Sequence, residues 1–70
     1  MTDAETVRML EALVEFYDES VEFSSRSIGG VVLVCERFKN PPVAIHVEEA
    51  DDIPHAVAEA YKAMLEEKGA

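Results

Sequence analysis

Two apolar, β-branched runs separated by a rigid interruption constrain the fold of this chain most strongly. The runs read VVLVCERF over residues 31–38 and VAIHV over residues 43–47, with Lys-Asn-Pro-Pro between them at residues 39–42. Side chains rich in Val and Ile fit the pleated surface of a sheet. Proline cannot donate to a strand ladder, and Asn and Pro favour chain reversals. The pattern therefore predicts two antiparallel strands joined by a short, rigid loop.

The segment before these runs, residues 20–28, admits two interpretations. Val21 could extend the apolar stripe of a preceding helix, or residues 21–24 could alternate with period two as a strand. Gly29 and Gly30 follow, and two glycines between β-prone runs are typical of a two-residue hairpin turn because both accept positive φ. We therefore favour a third strand, with Ile28 opposite Val31.

This register, with Phe38 opposite Val43 in the next hairpin, divides the strand side chains between two faces. One face is predicted to lie under helices and carries Val21, Phe23, Val32, Val34, Phe38, Val43, Ile45 and Val47. Glu36 is a misfit because it would point to this apolar side. The other face is predicted to keep an uncovered apolar strip, composed of Ile28, Val31, Leu33, Cys35 and Ala44.

Helical periodicity marks both ends of the chain. A first helix is predicted from about residue 3 to about residue 18, with Thr2 or Asp3 as its N-cap. Asp51 or Asp52 would cap a second helix, with Pro54 in its first turn. The predicted core-facing stripes are Val7, Leu10, Leu13, Val14 and Tyr17 in the first helix, and Val57, Tyr61, Met64 and Leu65 in the second.

These elements predict one α+β fold for the whole chain. The order is α-β-β-β-α, and we expect a single small domain over residues 1–70, with a three-stranded antiparallel meander covered on one face by two helices. A chain of 70 residues buries only about 60% of its unfolded surface, so its core is small.

The charge distribution limits the possible partners. The net charge is −9, and the acidic side chains concentrate in residues 1–25 and 48–70. Phosphate binding depends on clustered Lys and Arg, so direct contact with nucleic acid or with an anionic membrane is disfavoured. Double-stranded-RNA-binding domains share the predicted element order, but they carry basic residues at the start of the second helix. This chain has Glu48, Glu49, Asp51 and Asp52 there.

The compartment is predicted from the same composition. Cys35 is the one cysteine, which excludes an internal disulfide and favours a reducing compartment. The N-terminus lacks a basic region followed by a long apolar run, so we expect a cytoplasmic protein.

Catalytic and metal-binding motifs are not found in the sequence. The predicted register places Cys35 opposite His46, which could begin a nucleophile–base pair or half of a zinc site. The alternative, which we favour, is a small apolar strand residue beside a half-exposed histidine. Adjacent Asp51 and Asp52 are better explained by helix capping than by a metal. We therefore expect no cofactor, no metal and no enzymatic activity.

The remaining features indicate a protein-interaction module. The most specific hypothesis is an inhibitor or antitoxin-type protein whose acidic surface occupies a basic, nucleic-acid-binding groove of another protein. The predicted contact residues are Glu11, Glu15, Asp18, Glu19, Glu48, Glu49, Asp51 and Asp52. The alternative is an assembly subunit that self-associates, for example as a homodimer. The predicted contact is the uncovered strip of Ile28, Val31, Leu33, Cys35 and Ala44.

Overall fold

The computed structural model describes residues 2–18, 20–38 and 44–69, except for the side chain of Ala44. The elements in chain order are α1 (Asp3–Phe16), β1 (Ser20–Ser25), β2 (Val31–Arg37), β3 (Ala44–Ala50) and α2 (Ile53–Gly69). The three strands form one open antiparallel sheet in the order β1-β2-β3. Both helices pack on the same face of it. The predicted fold class is confirmed, and residues 20–25 form a strand rather than a helical extension.

Short polar side chains begin both helices. Thr2 is the N-cap of α1, where the Glu5 N–H donates to its Oγ1 over 3.2 Å. At the start of α2 the His55 N–H donates to Asp52 Oδ1 over 3.0 Å. Helix α1 ends at Phe16, two residues before the predicted end, because Tyr17 leaves the helical conformation while its N–H still bonds to the Leu13 carbonyl.

A three-residue turn joins β1 to β2. The Gly29 N–H donates to the Arg26 carbonyl, and the Arg26 N–H donates to the Gly30 carbonyl. The turn residues are therefore Ser27, Ile28 and Gly29, with a φ of +94° at Gly29 where this turn class needs a left-handed residue. The predicted two-residue Gly-Gly turn is wrong.

Gly30 has a different role from Gly29. Its φ is +90°, and a Cβ atom at this position would lie 2.5 Å from the carbonyl oxygen of Ala50. The start of β2 therefore approaches the backbone at the end of β3 more closely than any side chain would allow.

The longer turn changes the register between β1 and β2. Val21 lies opposite Cys35 instead of the predicted Phe38, a shift of three residues. Because side chains alternate along a strand, an odd shift moves the side chains of β1 to the other side relative to β2. The register between β2 and β3 is as predicted in the described pairs, with Cys35 opposite His46. The predicted pair of Phe38 with Val43 lies outside the described residues.

The register decides which face the helices cover. The covered face carries Val21, Phe23, Val31, Leu33, Cys35 and Ala50, and the opposite face carries Val32, Val34, Ile45 and Val47. The prediction that the latter four residues lie under the helices is wrong. Strand β1 contributes Val21 and Phe23 to the covered face but only Ser20, Glu22 and Ser24 to the other, so the larger apolar surface is the one that is buried.

The core is one cluster between the helices and the central strand. Ala56 and Ala60 of α2 are both 0% exposed and belong to this cluster. The fully buried side chains are Leu13, Tyr17, Leu33, Cys35, Ala56, Val57, Ala60 and Met64. Phe38, just beyond the end of β2, is exposed.

The two glycines of the turn provide a matched test of this geometry. We expect Gly29→Ala to lower the free energy of unfolding by about 1 kcal/mol, because only the positive φ is penalised and the space around it is open. Gly30→Ala should cost about 3 kcal/mol or more, because the new methyl group also meets the Ala50 carbonyl. Chemical denaturation of both variants measures the difference. Equal losses would show that the close approach to β3 does not matter.

Candidate protein-binding surface

The predicted self-association strip is not a surface. Leu33 and Cys35 are both 0% exposed and lie in the core, and Val31 is partly buried against it. Ile28 is exposed, but it belongs to the turn between β1 and β2 rather than to a strand. Ala44 begins β3, where its backbone lies opposite Arg37. The prediction fails because the register of β1 directs this side of the sheet toward the helices.

The opposite side of the sheet is the candidate binding surface, which we call the open face. Its apolar centre is Val32, Val34, Ile45 and Val47. Val34 lies directly across from Val47, and the two β3 residues are the most accessible, with Ile45 60% and Val47 55% exposed. Both helices lie on the other side, so no described element covers this patch.

Carboxylates surround this apolar centre. Glu22 lies across from Val34, Glu36 across from Ile45, and Glu49 across from Val32. A single described cation is close to them, Arg26, whose Nη2 is 3.8 Å from Glu49 Oε2. Three carboxylates against this one guanidinium leave the rim with a net negative charge. The open face therefore combines four β-branched side chains with a net negative rim.

Glu22 and Glu36 are functional candidates that the sequence analysis did not select. The signal was present in the misfit of Glu36, which was expected to point into the apolar side of the sheet. In the structure that side faces solvent, so the carboxylate of Glu36 does not have to be buried. A carboxylate within the central strand therefore indicated the uncovered face.

The acidic residues predicted to form the contact surface do not converge. Glu15 lies beside Lys68 near the C-terminal end of α2, whereas Glu49 and Asp51 lie beside His55 near its N-terminal end. His55 and Lys68 are separated by about 20 Å along the helix axis. The predicted contact residues therefore form two separate acidic regions.

The other predicted acidic residues have varied surroundings. Glu48 Oε1 lies within hydrogen-bond distance of the His46 ring, 2.9 Å from Nε2, on the covered side of the sheet. Asp52 caps α2, while Glu11 and Asp18 are exposed on or just after α1. Glu19 lies outside the described residues.

A polar cluster fastens the C-terminal ends of α1, β2 and α2 to one another. Arg37 donates from Nη2 to Glu67 Oε1 over 3.2 Å, and its guanidinium carbon lies 4.1 Å from the centroid of the Phe16 ring. The Tyr17 hydroxyl donates to Glu67 Oε2 over 3.4 Å. Glu67 pairs with Nη2 of Arg37, whereas the buried Nε of Arg37 has no hydrogen-bond partner among the described residues. The cluster links the ends of the three elements to one another.

The Cys35–His46 pair has the predicted register but not the chemistry of a reactive thiol. Burial raises the pKa of Cys35 to about 11, so the thiol is protonated at neutral pH. His46 contacts Glu48 instead of the sulfur. Among the described residues, no group of three side chains could hold a metal ion.

Within residues 2–18, 20–38 and 44–69, no helix is long and apolar enough to cross a membrane. Comparison of the chain with protein-family models, curated proteins and solved structures finds no match in any of the three. The geometry and charge of this chain are therefore the basis for inferring its function.

The buried Tyr17 and Cys35 predict a loss of stability in alkali. Burial, and next the Glu67 carboxylate, raise the pKa of Tyr17 from 10.0 to about 12, and burial raises that of Cys35 from 9.0 to about 11. The folded state thus keeps two protons that the unfolded state releases first. The contribution of these two groups to the free energy of unfolding is complete below about pH 9. It is lost as the pH rises through their folded-state pKa values.

Chemical denaturation between about pH 8 and about pH 11 measures this effect. Each group should add a slope of up to about 1.4 kcal/mol per pH unit over its own interval. Cys35→Ala should remove the decrease in the free energy of unfolding that begins near pH 9. Tyr17→Phe should remove the decrease that begins near pH 10. A wild-type stability that does not change across this range would contradict the assignment.

Proposed function

We propose that this chain is a non-enzymatic protein-binding module and that the open face is its binding surface. The observation that supports this most is the pair of half-exposed neighbours Ile45 and Val47, continuous with Val32 and Val34. Contiguous apolar patches on small soluble proteins commonly mark interaction sites. The lone buried cysteine fits a reducing, cytoplasmic setting for this binding.

The rim of the open face defines the chemistry of the partner. Glu22, Glu36 and Glu49 would each be desolvated or paired when the face is covered. A partner with an apolar patch surrounded by Lys and Arg meets both requirements, since it buries the valines and pairs the carboxylates. Complementary charges would also accelerate association with a basic partner.

Pairing of two open faces is less well supported. It would bring three carboxylates of one copy close to three carboxylates of the other, and like charges in an interface cost several kcal/mol. An assembly subunit that associates by this face is therefore the weaker alternative.

The most specific form of the proposal is an inhibitor or antitoxin-type protein. A groove that binds nucleic acid carries clustered Lys and Arg, and a chain with a net charge of −9 would be attracted to such a groove. In this form the acidic rim of the open face occupies the place of the phosphates, and the apolar centre adds salt-independent affinity.

Two charge-matched double variants test which surface binds. Glu22→Lys with Glu36→Lys alters the open face, and Glu11→Lys with Glu15→Lys alters the outer side of α1. Both change the net charge from −9 to −5, so long-range attraction is reduced equally. The partner captured by wild-type protein from lysate of the native cell is purified, and its affinity for each variant is measured at low and high salt.

We expect the open-face variant to bind at least about tenfold more weakly than the α1 variant. Ile45→Ser with Val47→Ser should weaken binding at both salt concentrations, since it removes apolar contact. Equal affinities of the two charge variants would contradict the open face as the site, and preferential loss in the α1 variant would assign binding to the helix. A nucleic-acid oligonucleotide that competes for the captured partner would support the inhibitor form specifically.

A further inference from the structure

The outer edge of β1 has unpaired backbone groups. The Arg26 N–H donates toward β2, to the Gly30 carbonyl. Because residues of an antiparallel strand direct their N–H and C=O groups alternately to either side, Val21, Phe23 and Ser25 direct theirs away from β2. No strand of the described residues lies along that edge. Three residues of β1 therefore present donors and acceptors for another strand.

The outer edge of β3 is better protected against pairing. It carries the His46–Glu48 pair on one side of the sheet and Glu49 on the other. Charged side chains on an edge strand oppose the approach of a second strand. Strand β1 has one charged residue, Glu22. The two edges thus differ, and β1 is the one suited to pairing.

Helix α1 leaves an apolar flank beyond this edge. Val7 and Val14 are each about half exposed, and they lie about 100–120° around the helix from the buried Leu13. Ala12 lies about 100° from Leu13 in the other direction, on the side that faces α2. The exposed valines therefore face away from α2, over the side of the sheet where β1 is the outer strand.

We propose that β1 pairs antiparallel with β1 of a second copy of this chain, with Phe23 of each copy opposite Phe23 of the other. This register pairs all three outward-facing residues at once, Val21 with Ser25 and Phe23 with itself, through about six backbone hydrogen bonds. It places both covered faces on the same side, so a six-stranded sheet carries all four helices on one face.

The charges and the aromatic rings of β1 suit this register. Glu22 lies opposite Ser24 of the second copy, whose hydroxyl can donate to the carboxylate. A shift by two residues in one direction would instead place Glu22 opposite Glu22, and like charges directly across a sheet destabilise it. A shift in the other direction would place Val21 opposite Ser27, which lies in the turn. Phe23 is partly exposed in the single chain and would gain an aromatic neighbour across the two-fold axis.

The strand that pairs with the edge of β1 belongs to a second copy of this chain rather than to a single extended peptide. A single added strand would satisfy the backbone of β1 but would leave Val7 and Val14 in water. A second copy also brings its own α1, and the two-fold axis places the apolar flanks of the two helices on either side of the new strand pair. The dimer uses the edge of β1 and the proposed partner binding uses the open face, and the two surfaces share Glu22.

Sedimentation equilibrium at protein concentrations up to about 1 mM tests the proposal, since edge pairing forms a small interface of the weak class. We expect a reversible dimer that is strengthened by salt, because salt screens the repulsion between two chains of charge −9. Partner binding by the open face should be weakened by salt, so failure of one proposal can be distinguished from failure of the other.

Substitutions at the axis test the register. Phe23→Lys and Phe23→Glu should each weaken self-association at least about tenfold, and an equimolar mixture of the two should restore a heterodimer. Ile45→Lys, which places a charge on the open face, is the matched control and should leave the dimer unchanged. Circular dichroism checks that each variant is folded.

Amide hydrogen exchange of the wild-type protein gives a readout that needs no variant. Protection at Val21, Phe23 and Ser25 should rise with protein concentration, while that at Ile45 and Val47 should not. A monomer at every concentration and salt would overturn the proposal and leave this edge for a strand of another protein. A dimer that persists in Phe23→Lys, or a charged mixture that stays monomeric, would also overturn it.

Discussion

The register between β1 and β2 is the constraint on which the rest of the structure depends. It follows from the turn, where Gly29 supplies the left-handed residue and Gly30 passes against the carbonyl of Ala50. With this turn, Val21 and Phe23 share a side with Leu33 and Cys35. Helices α1 and α2 then bury that side, and Ile45 and Val47 on the other side remain exposed.

Local signals in the sequence were sufficient for the element order. Thr2 and Asp52 cap the helices as polar side chains of their type usually do, and the pattern around residues 39–42 gave the correct pairing of β2 with β3. These features depend on residues that are close together in the chain. The acidic contact residues were predicted from helical spacing in α1 and from their clustering over residues 48–52, and the distance between these two groups depends on tertiary packing.

The covered face could not be predicted from β2, because both of its sides are apolar. Val31 and Leu33 alternate with Val32 and Val34, so the central strand fits either orientation. The large side chains of β3, Ile45 and Val47, favoured the wrong side. The correct choice required the three-residue turn, which a Gly-Gly pair does not distinguish from the shorter one by composition. Glu36 was the one residue that indicated the error.

The small core also explains why the chain leaves so much apolar surface exposed. Two helices can cover only one side of three strands, and α1 contributes Leu13 to the core while Val7 and Val14 stay accessible. The open face and the edge of β1 are therefore consequences of the same two-layer architecture. One bears acidic side chains and the other bears free backbone groups, so they suit different kinds of neighbour.

Because Cys35 is buried, chemical labelling of its thiol reports transient opening of the core. As the one sulfhydryl in the sequence, it lies between sheet and helices, where a labelling reagent has no access until those layers separate. The rate of modification in the absence of denaturant therefore reports how often α2 lifts from β2, and it does so without any engineered label.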